Sequence, residues 1–298
     1  MPVTVDGRTA LTGIVGYPVS HSLSPLMHNA AFGELGLNMV YLPFSVAPEA
    51  LPQGVAGLAA LGVRGFNVTI PHKVAILPLL HEITPEARAI GAVNTVLNRD
   101  GLLTGYNTDG IGLLRALEGE FGFYPAGRSV LLLGAGGAAR SAVAALSLAG
   151  AARVVVANRT KERGEELVAS VAPHLPGTLL QSAPFTLLSD AGFLSGFDLL
   201  VNTTSVGMGG SAFGDLALTG LPPHAAIYDM VYAPLETPLM EQGRGVGLPV
   251  ANGIGMLVAQ GEAAFTIWTG QQPPAGCMKR AVLEGIGAAT LDIVRQSK

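Results

Sequence analysis

The stretch Ser129-Val130-Leu131-Leu132-Leu133-Gly134-Ala135-Gly136-Gly137-Ala138-Ala139 decides the fold. A short apolar run suited to a buried strand passes directly into a glycine-rich turn, and a helix pattern follows over 138–148, ended by Gly150. A second apolar run at 153–157 then returns, so the segment reads as one β-α-β unit. Glycines in the turn allow a pyrophosphate to approach backbone N–H groups at the positive end of the helix. Ala139 stands at the sixth position of the fingerprint, where Gly and Ala are both accepted. A plain strand–helix turn would need none of this spacing, and we read Gly134, Ala135, Gly136, Gly137 and Ala138 as a dinucleotide site.

About twenty residues further on, at the tip of the second strand, an acid would hold the ribose 2′-hydroxyl of NAD. No acid is there. The strand ends in Asn158-Arg159-Thr160, with Arg163 one helical turn beyond. Two guanidiniums suit a 2′-phosphate by charge and by bidentate geometry, so NADP is expected rather than NAD. The bland alternative is that both arginines merely face solvent.

Outward from this unit the alternation continues. Apolar runs at 197–201, 225–228 and 247–250 supply further strands of an open sheet, and helix patterns at 256–269 and 277–294 end the chain. Upstream, strand-like runs at 11–15, 39–46 and 65–70 alternate with helix-like segments at 24–35 and 49–61, an order that implies parallel pairing with helical crossovers. Short runs at 92–97 and 102–106 follow, and a helix from 108 to about 117 leads out of the first domain. A chain of 298 residues is long enough for two domains and hence for a cleft.

Composition excludes several classes. Hydrophobic residues are 49% and charged ones 13%, with a mean hydropathy of +0.45, yet Arg140 and Arg153 interrupt the most apolar stretch. No uncharged run reaches the roughly 18–20 residues that cross a bilayer. The first fifteen residues carry Asp6 and Arg8 and lack the pattern of a secretory signal, so a cytoplasmic location is expected. The single cysteine, Cys277, excludes an intramolecular disulfide and reads as packing. Six histidines show no metal-ligand spacing, and no metal is expected. A net charge of -4 without a basic run argues against nucleic acid and for a small-molecule partner.

Three segments are polar at strand ends. Gly16-Tyr17-Pro18-Val19-Ser20-His21-Ser22-Leu23-Ser24-Pro25 lies between a strand and a helix, with Ser24 expected as N-cap and Pro25 as first helical residue, a place able to hold a carboxylate. In Gly65-Phe66-Asn67-Val68-Thr69-Ile70-Pro71-His72-Lys73 a strand stops at Pro71 and delivers Lys73 to a loop at its carboxyl end, where clefts of open sheets form. The third comprises Ala92-Val93-Asn94-Thr95 and Gly105-Tyr106-Asn107-Thr108-Asp109-Gly110. In isolation each has a plain reading: a cap, a solvated lysine, a helix-start aspartate.

Together these segments resemble the shikimate dehydrogenase family along nearly the whole chain. Further matches are Asn202-Thr203-Thr204-Ser205-Val206-Gly207-Met208, Tyr228-Asp229-Met230-Val231-Tyr232 and Gly255-Met256-Leu257-Val258-Ala259-Gln260. The resemblance implies an α/β protein of two domains: an N-terminal substrate-binding domain (1–109 plus 253–298) and a Rossmann-type doubly wound dinucleotide-binding domain (110–252), with the C-terminal helices packing back on the first. It implies a catalytic pair, Lys73 and Asp109. Ser22 and Ser24 would hold a substrate carboxylate with Tyr232 nearby, and Thr69, Asn94 and Gln260 would bind ring hydroxyls. Met230 and Gly253 would line the nicotinamide side, with Thr203, Ser205 and Val206 in a loop over the cofactor. The implied reaction is NADPH-dependent reduction of 3-dehydroshikimate to shikimate by a monomer or homodimer. Three rivals remain: a quinate/shikimate paralogue using NAD or NADP, a non-catalytic NADP-binding sensor, and a different dehydrogenase on the same scaffold.

Overall fold

The computed structural model describes residues 5–296, with side chains described as far as 287. Met1–Thr4, the start of the stretch read for a secretory signal, lie outside the described residues. The chain divides into two compact units: one runs to Thr108 and resumes at Val258, the other is Asp109–Leu257. These divisions fall one residue before and five residues after those expected from sequence.

In the first unit the order is β1 (Ala10–Gly16), α1 (Ser24–Glu34), β2 (Met39–Ser45), α2 (Leu51–Ala60), β3 (Gly65–Val68), α3 (His72–Ala75), β4 (Glu82–Ile83), α4 (Pro85–Ile90), β5 (Thr95–Arg99) and β6 (Leu102–Tyr106). The sheet order is β2-β1-β3-β5-β6-β4. β1 pairs in parallel with both β2 and β3, as helical crossovers require. β5 runs antiparallel to β3, and β6, joined to it by a tight turn at Asp100 and Gly101, runs antiparallel to β5 and so in the same direction as β3. That reversal matters for the site. It brings the start of β5 and the end of β6 to the same sheet edge as the ends of β1 and β3, with Asn67 opposite Thr95 and Thr95 opposite Tyr106. Val15, Phe66, Val68, Val93 and Val96 form the buried centre with Leu51 and Val55 of α2.

The second unit holds α5 (Asp109–Phe121), β7 (Ser129–Leu133), α6 (Gly137–Leu148), β8 (Arg153–Asn158), α7 (Lys161–Val171), β9 (Leu179–Pro184), α8 (Ala191–Leu194), β10 (Leu199–Asn202), β11 (Ala226–Asp229), α9 (Pro238–Gly245) and β12 (Val250–Ala251). Its sheet order is β12-β11-β10-β7-β8-β9, all pairs parallel. This is the doubly wound arrangement, with the strand order reversing beside β7. Val130 to Leu133 and Val154 to Ala157 are buried almost completely, which explains strands that read as continuous apolar runs rather than alternating ones. β9 was not anticipated. As an edge strand it buries little, and Leu-Leu-Gln-Ser-Ala-Pro carries no strong period.

α10 (Ile254–Thr269) and α11 (Cys277–Gln296) return the chain to the first unit. Trp268 donates its indole N–H to the Val96 carbonyl at 2.9 Å, and Arg64 Nε donates to the Trp268 carbonyl at 2.6 Å. α11 packs along α1, where a Cβ on Gly285 would lie 2.4 Å from Leu26 Cδ1. Cys277 and Met278 are buried there. No helix among the described residues is long and apolar enough to cross a membrane.

Candidate active site

In the first unit, Ser22, Ser24, Thr69, Lys73 and Asn94 all gather at the sheet edge defined above. β1 and β3 end there, and β5 starts there. Gly16 makes this possible at one point: a Cβ on it would stand 2.4 Å from Thr69 Cγ2. Thr69 donates its N–H to the Val15 carbonyl, which locks the two strand ends together at 2.9 Å.

Two local expectations are corrected. Ser24 is not the N-cap of α1; Leu23 holds that position without a side-chain cap, and Ser24 is the first helical residue. Its hydroxyl instead engages the phenol of Tyr41, while its N–H donates to Ser22 Oγ at 3.2 Å. Lys73 does not lie in an open loop but in α3, a single helical turn. His72 anchors that turn through a contact of 2.7 Å between its Nε2 and the Val46 carbonyl, and the Lys73 carbonyl accepts from Val93 N at 2.8 Å. The backbone of Lys73 is thereby fixed beside Asn94.

Asn94 is buried and its amide is oriented by its neighbours. Oδ1 accepts from Thr108 N at 2.7 Å, and Nδ2 donates to Thr108 Oγ1 at 3.0 Å. Asn67, which the sequence reading assigned no role, donates to the Asn94 carbonyl at 3.2 Å and to Thr95 Oγ1 at 3.0 Å. Its Oδ1 accepts from the Tyr41 hydroxyl at 2.7 Å. A continuous polar chain therefore joins Ser24, Tyr41, Asn67 and Asn94. Gln260 lies buried on α10, one residue before Gly261, where a Cβ would stand 2.4 Å from Met27 Cε. Asp109 follows Thr108 directly and opens α5 in the second unit as a buried residue.

In the second unit, Gly134 to Ala138, Asn158 to Arg163, Asn202 to Val206 and Asp229 to Tyr232 follow the carboxyl ends of four parallel strands, and Gly253 follows a fifth. Gly134 has φ +106, and a Cβ there would meet Thr204 Cγ2 at 2.6 Å. Gly136 and Gly137 have open space above them, and α6 begins at Gly137 with Gly136 as an N-cap that offers no side-chain bond. Uncapped N–H groups under an unobstructed glycine turn fit a pyrophosphate. Asn158 donates its side-chain amide to the Thr160 carbonyl at 2.7 Å, while Arg159 and Arg163 are exposed and in no ion pair among the described residues. Those features fit a 2′-phosphorylated dinucleotide.

The rest of the edge is tied together by Asp229, a second residue for which sequence reading supplied no role. Fully buried, it accepts from Asn202 Nδ2 at 2.8 Å and Val231 N at 3.0 Å on one oxygen and from Thr237 Oγ1 at 2.7 Å on the other. Asn202 Nδ2 also donates to the Val206 carbonyl, and Asn202 Oδ1 accepts from Thr204 N. Thr203 Oγ1 donates to the Leu133 carbonyl, and Ser205 is exposed. Met230 N donates to the Asn202 carbonyl at 3.0 Å, and Gly253 N to the Val231 carbonyl at 3.1 Å. Burial pushes the Tyr232 phenol above its ordinary range. The sequence carries two signals of Asp229: an acid ending the apolar run 225–228, and its place in the family-matching segment Tyr228-Asp229-Met230-Val231-Tyr232. Among the described residues no group of three His, Cys, Asp or Glu side chains could hold a metal ion.

A doubly wound parallel sheet with an open glycine turn and an arginine pair at the next strand tip defines a dinucleotide-binding dehydrogenase class. Sequence models described as the shikimate dehydrogenase substrate binding domain, shikimate/quinate 5-dehydrogenase and the shikimate 5′-dehydrogenase C-terminal domain match residues 14–96, 120–192 and 253–283. The chain is 64% identical over 280 residues to a shikimate dehydrogenase (NADP(+)) of Geobacter sp. (strain M21), a match covering 94% of this chain and 97% of that one. Among solved structures, a shikimate dehydrogenase in complex with NADP+ superposes with a TM-score of 0.87 at 40% identity, covering 95% of this chain and 98% of that one. The shikimate 5-dehydrogenase of Listeria monocytogenes, solved with shikimate and NAD, gives a TM-score of 0.87 at 35% identity, covering 94% and 98%. The chain belongs to the shikimate dehydrogenase family.

Proposed function

We propose that this chain catalyses the reversible NADPH-dependent reduction of 3-dehydroshikimate to shikimate, with Lys73 and Asp109 as the catalytic pair. The observation that carries the reading is the gathering of Ser22, Thr69, Lys73 and Asn94 at one edge of the first sheet, in a family whose members are dehydrogenases. The first unit, with the C-terminal helices, binds the substrate; the second binds NADP. Ser22 and Ser24 hold the carboxylate with Tyr232, while Thr69, Asn94 and Gln260 take the ring hydroxyls.

NADPH, when bound, supplies the hydride. The residues supply placement and charge. As negative charge grows on the ketone oxygen, the Lys73 ammonium stabilises it and provides a proton. Asp109 orients that ammonium. Thr69 and Asn94, fixed by their backbone and amide bonds, hold the ring so that one face meets the hydride donor. Arg159 and Arg163 bind the 2′-phosphate, the turn from Gly134 to Ala138 the pyrophosphate, and Thr203 to Val206 with Met230 and Gly253 the nicotinamide end. The protein acts in the cytoplasm as a monomer or homodimer on a small-molecule substrate.

The test is the oxidation of shikimate with NADP, followed by absorbance of the reduced nicotinamide, with quinate and NAD in parallel. Lys73→Ala and Asp109→Asn are expected to lower kcat by at least about 100-fold, the usual scale of general acid–base and charge stabilisation. Comparable use of quinate or NAD would favour the broader paralogue, and dinucleotide binding without any polyol oxidation would favour a sensor.

A further inference from the structure

Asp229 is a buried acid whose partners are all neutral. Asn202, Val231 and Thr237 donate to it, and no cationic side chain among the described residues is among the groups acting on it. The bonding pattern favours its ionised state. Oδ1 accepts two N–H groups and has no room for a proton of its own. The Thr237 hydroxyl donates to Oδ2 at 2.7 Å, so all three hydrogen bonds at this carboxyl come from donors, which favour its charged form. Burial pushes this carboxyl upward, and the three donors work against that shift. The three donors therefore favour a negative charge at the carboxyl end of β11, with no cationic side chain among the described residues acting on it.

The segments that Asp229 holds are those assigned to the nicotinamide end. It bonds directly to Val231, next to Met230; through Asn202 it fixes the Val206 carbonyl and Thr204; and the Val231 carbonyl receives Gly253 N. A Cβ on Gly253 would lie 2.1 Å from the Met230 carbonyl oxygen, so these backbones have no slack. The nicotinamide ring is a cation in NADP+ and neutral in NADPH. We infer that Asp229 is a positioning residue that also biases the nicotinamide pocket electrostatically toward the oxidised cofactor, so that NADP+ binds better relative to NADPH than geometry alone would allow. This inference rests on the placement of the nicotinamide beside Met230 and Gly253. Its consequence is functional. A fixed charge that favours the cationic ring pulls the enzyme-bound equilibrium toward NADP+ and alcohol, the direction of ketone reduction.

The experiment measures Kd for NADP+, for NADPH and for 2′-phospho-ADP-ribose, which lacks the nicotinamide, on the full chain and its variants. In Asp229→Asn the ratio of Kd for NADP+ to Kd for NADPH should rise on the order of tenfold, the scale of losing one unit charge at an effective dielectric constant of about 20. Affinity for 2′-phospho-ADP-ribose should stay within about twofold, because that molecule has no ring charge to lose. Thr237→Val, which removes a donor but keeps the charge, should move both dinucleotide affinities together and leave their ratio in place. If Asp229→Asn does not fold, the smaller neutral Asp229→Ser reads the same ratio. Equal shifts for NADP+ and NADPH in the neutral variant would overturn the electrostatic role and leave a purely structural one. Met230→Ala separates the premise from the inference. If it changes neither dinucleotide affinity nor kcat, the nicotinamide placement is wrong and the inference falls with it; if it does, a constant ratio at Asp229 defeats the inference alone.

Discussion

His28 lies face to face with Tyr41, ring centroids 4.4 Å apart and planes 10° from parallel, with Trp268 and Phe265 closing the aromatic box. Both ring nitrogens of His28 are buried without a hydrogen-bond partner. Burial holds its pKa down to about 3. In the unfolded chain the same imidazole titrates near 6.5. Between those values the unfolded state takes up a proton that the native state refuses. This contribution to stability is therefore whole above about pH 7, falls as the pH drops below 6.5 and levels off below 3. At pH 5 the deficit from this one group is about 2 kcal/mol. Urea unfolding at pH 7.5 and pH 5 should show wild type losing about 2 kcal/mol more than His28→Leu. Equal losses would mean that His28 is hydrated or paired in solution.

Tyr41 carries the polar side of the same stack. Tyr41→Phe removes one oxygen and leaves Asn67 Oδ1 and the Ser24 hydroxyl without their present partner. A stability loss of about 1–3 kcal/mol is expected from the buried unsatisfied groups. KM for shikimate should rise, with the Kd for NADP+ unchanged, because the disturbed residues belong to the first unit. Steady-state kinetics beside a cofactor titration checks the split.

Gly65 is where β3 meets Trp268. A Cβ there would stand 2.3 Å from the indole ring and 2.8 Å from the Val96 carbonyl oxygen. Gly65→Ala must therefore displace the tryptophan or the strand, and a loss of about 3 kcal/mol by denaturant unfolding is expected. A loss under about 0.5 kcal/mol, the scale of ordinary surface changes, would contradict this packing.

Arg159 and Arg163 decide the cofactor if they bind the 2′-phosphate. Arg159→Ala should weaken NADP+ about tenfold while leaving NAD+ nearly unchanged, since a charge-assisted bond to phosphate is lost only in the first case. Arg163→Ala should act in the same sense. Titration of both cofactors reads the difference, and equal weakening of NAD+ would move the arginines away from the phosphate.

Much of this was legible before folding. β7, α6 and β8 are each specified locally: a fully apolar run, glycines where backbone must be open, and Arg159 where an acid would otherwise stand. The same holds for β1, β2 and β3, whose apolar runs are bounded by turn residues. Less legible was anything depending on an edge. β9 buries little, so its residues carry no strong period, and the antiparallel return of β5 and β6 depends on a turn at Asp100 and Gly101 that composition alone does not orient. Ser24 looked like a cap because serine before proline at a helix start usually is one; a phenol from β2 competes for its hydroxyl instead.

By itself, then, the sequence determined the class of fold, the glycine-rich turn after β7, the arginines beyond it and the residues that match the shikimate dehydrogenase family, because each depends on short-range periodicity or on contiguous residue types. Tertiary structure decided which polar groups meet. Tyr41 and Asn67 are 26 positions apart and Asn202 and Asp229 are 27 apart, yet each pair shares one hydrogen bond, at 2.7 Å and 2.8 Å. Whether a buried hydroxyl, imidazole or carboxylate finds a partner depends on what the other strands bring to it. That depends on register and crossover, which bring distant segments to one sheet edge only once the sheets have formed.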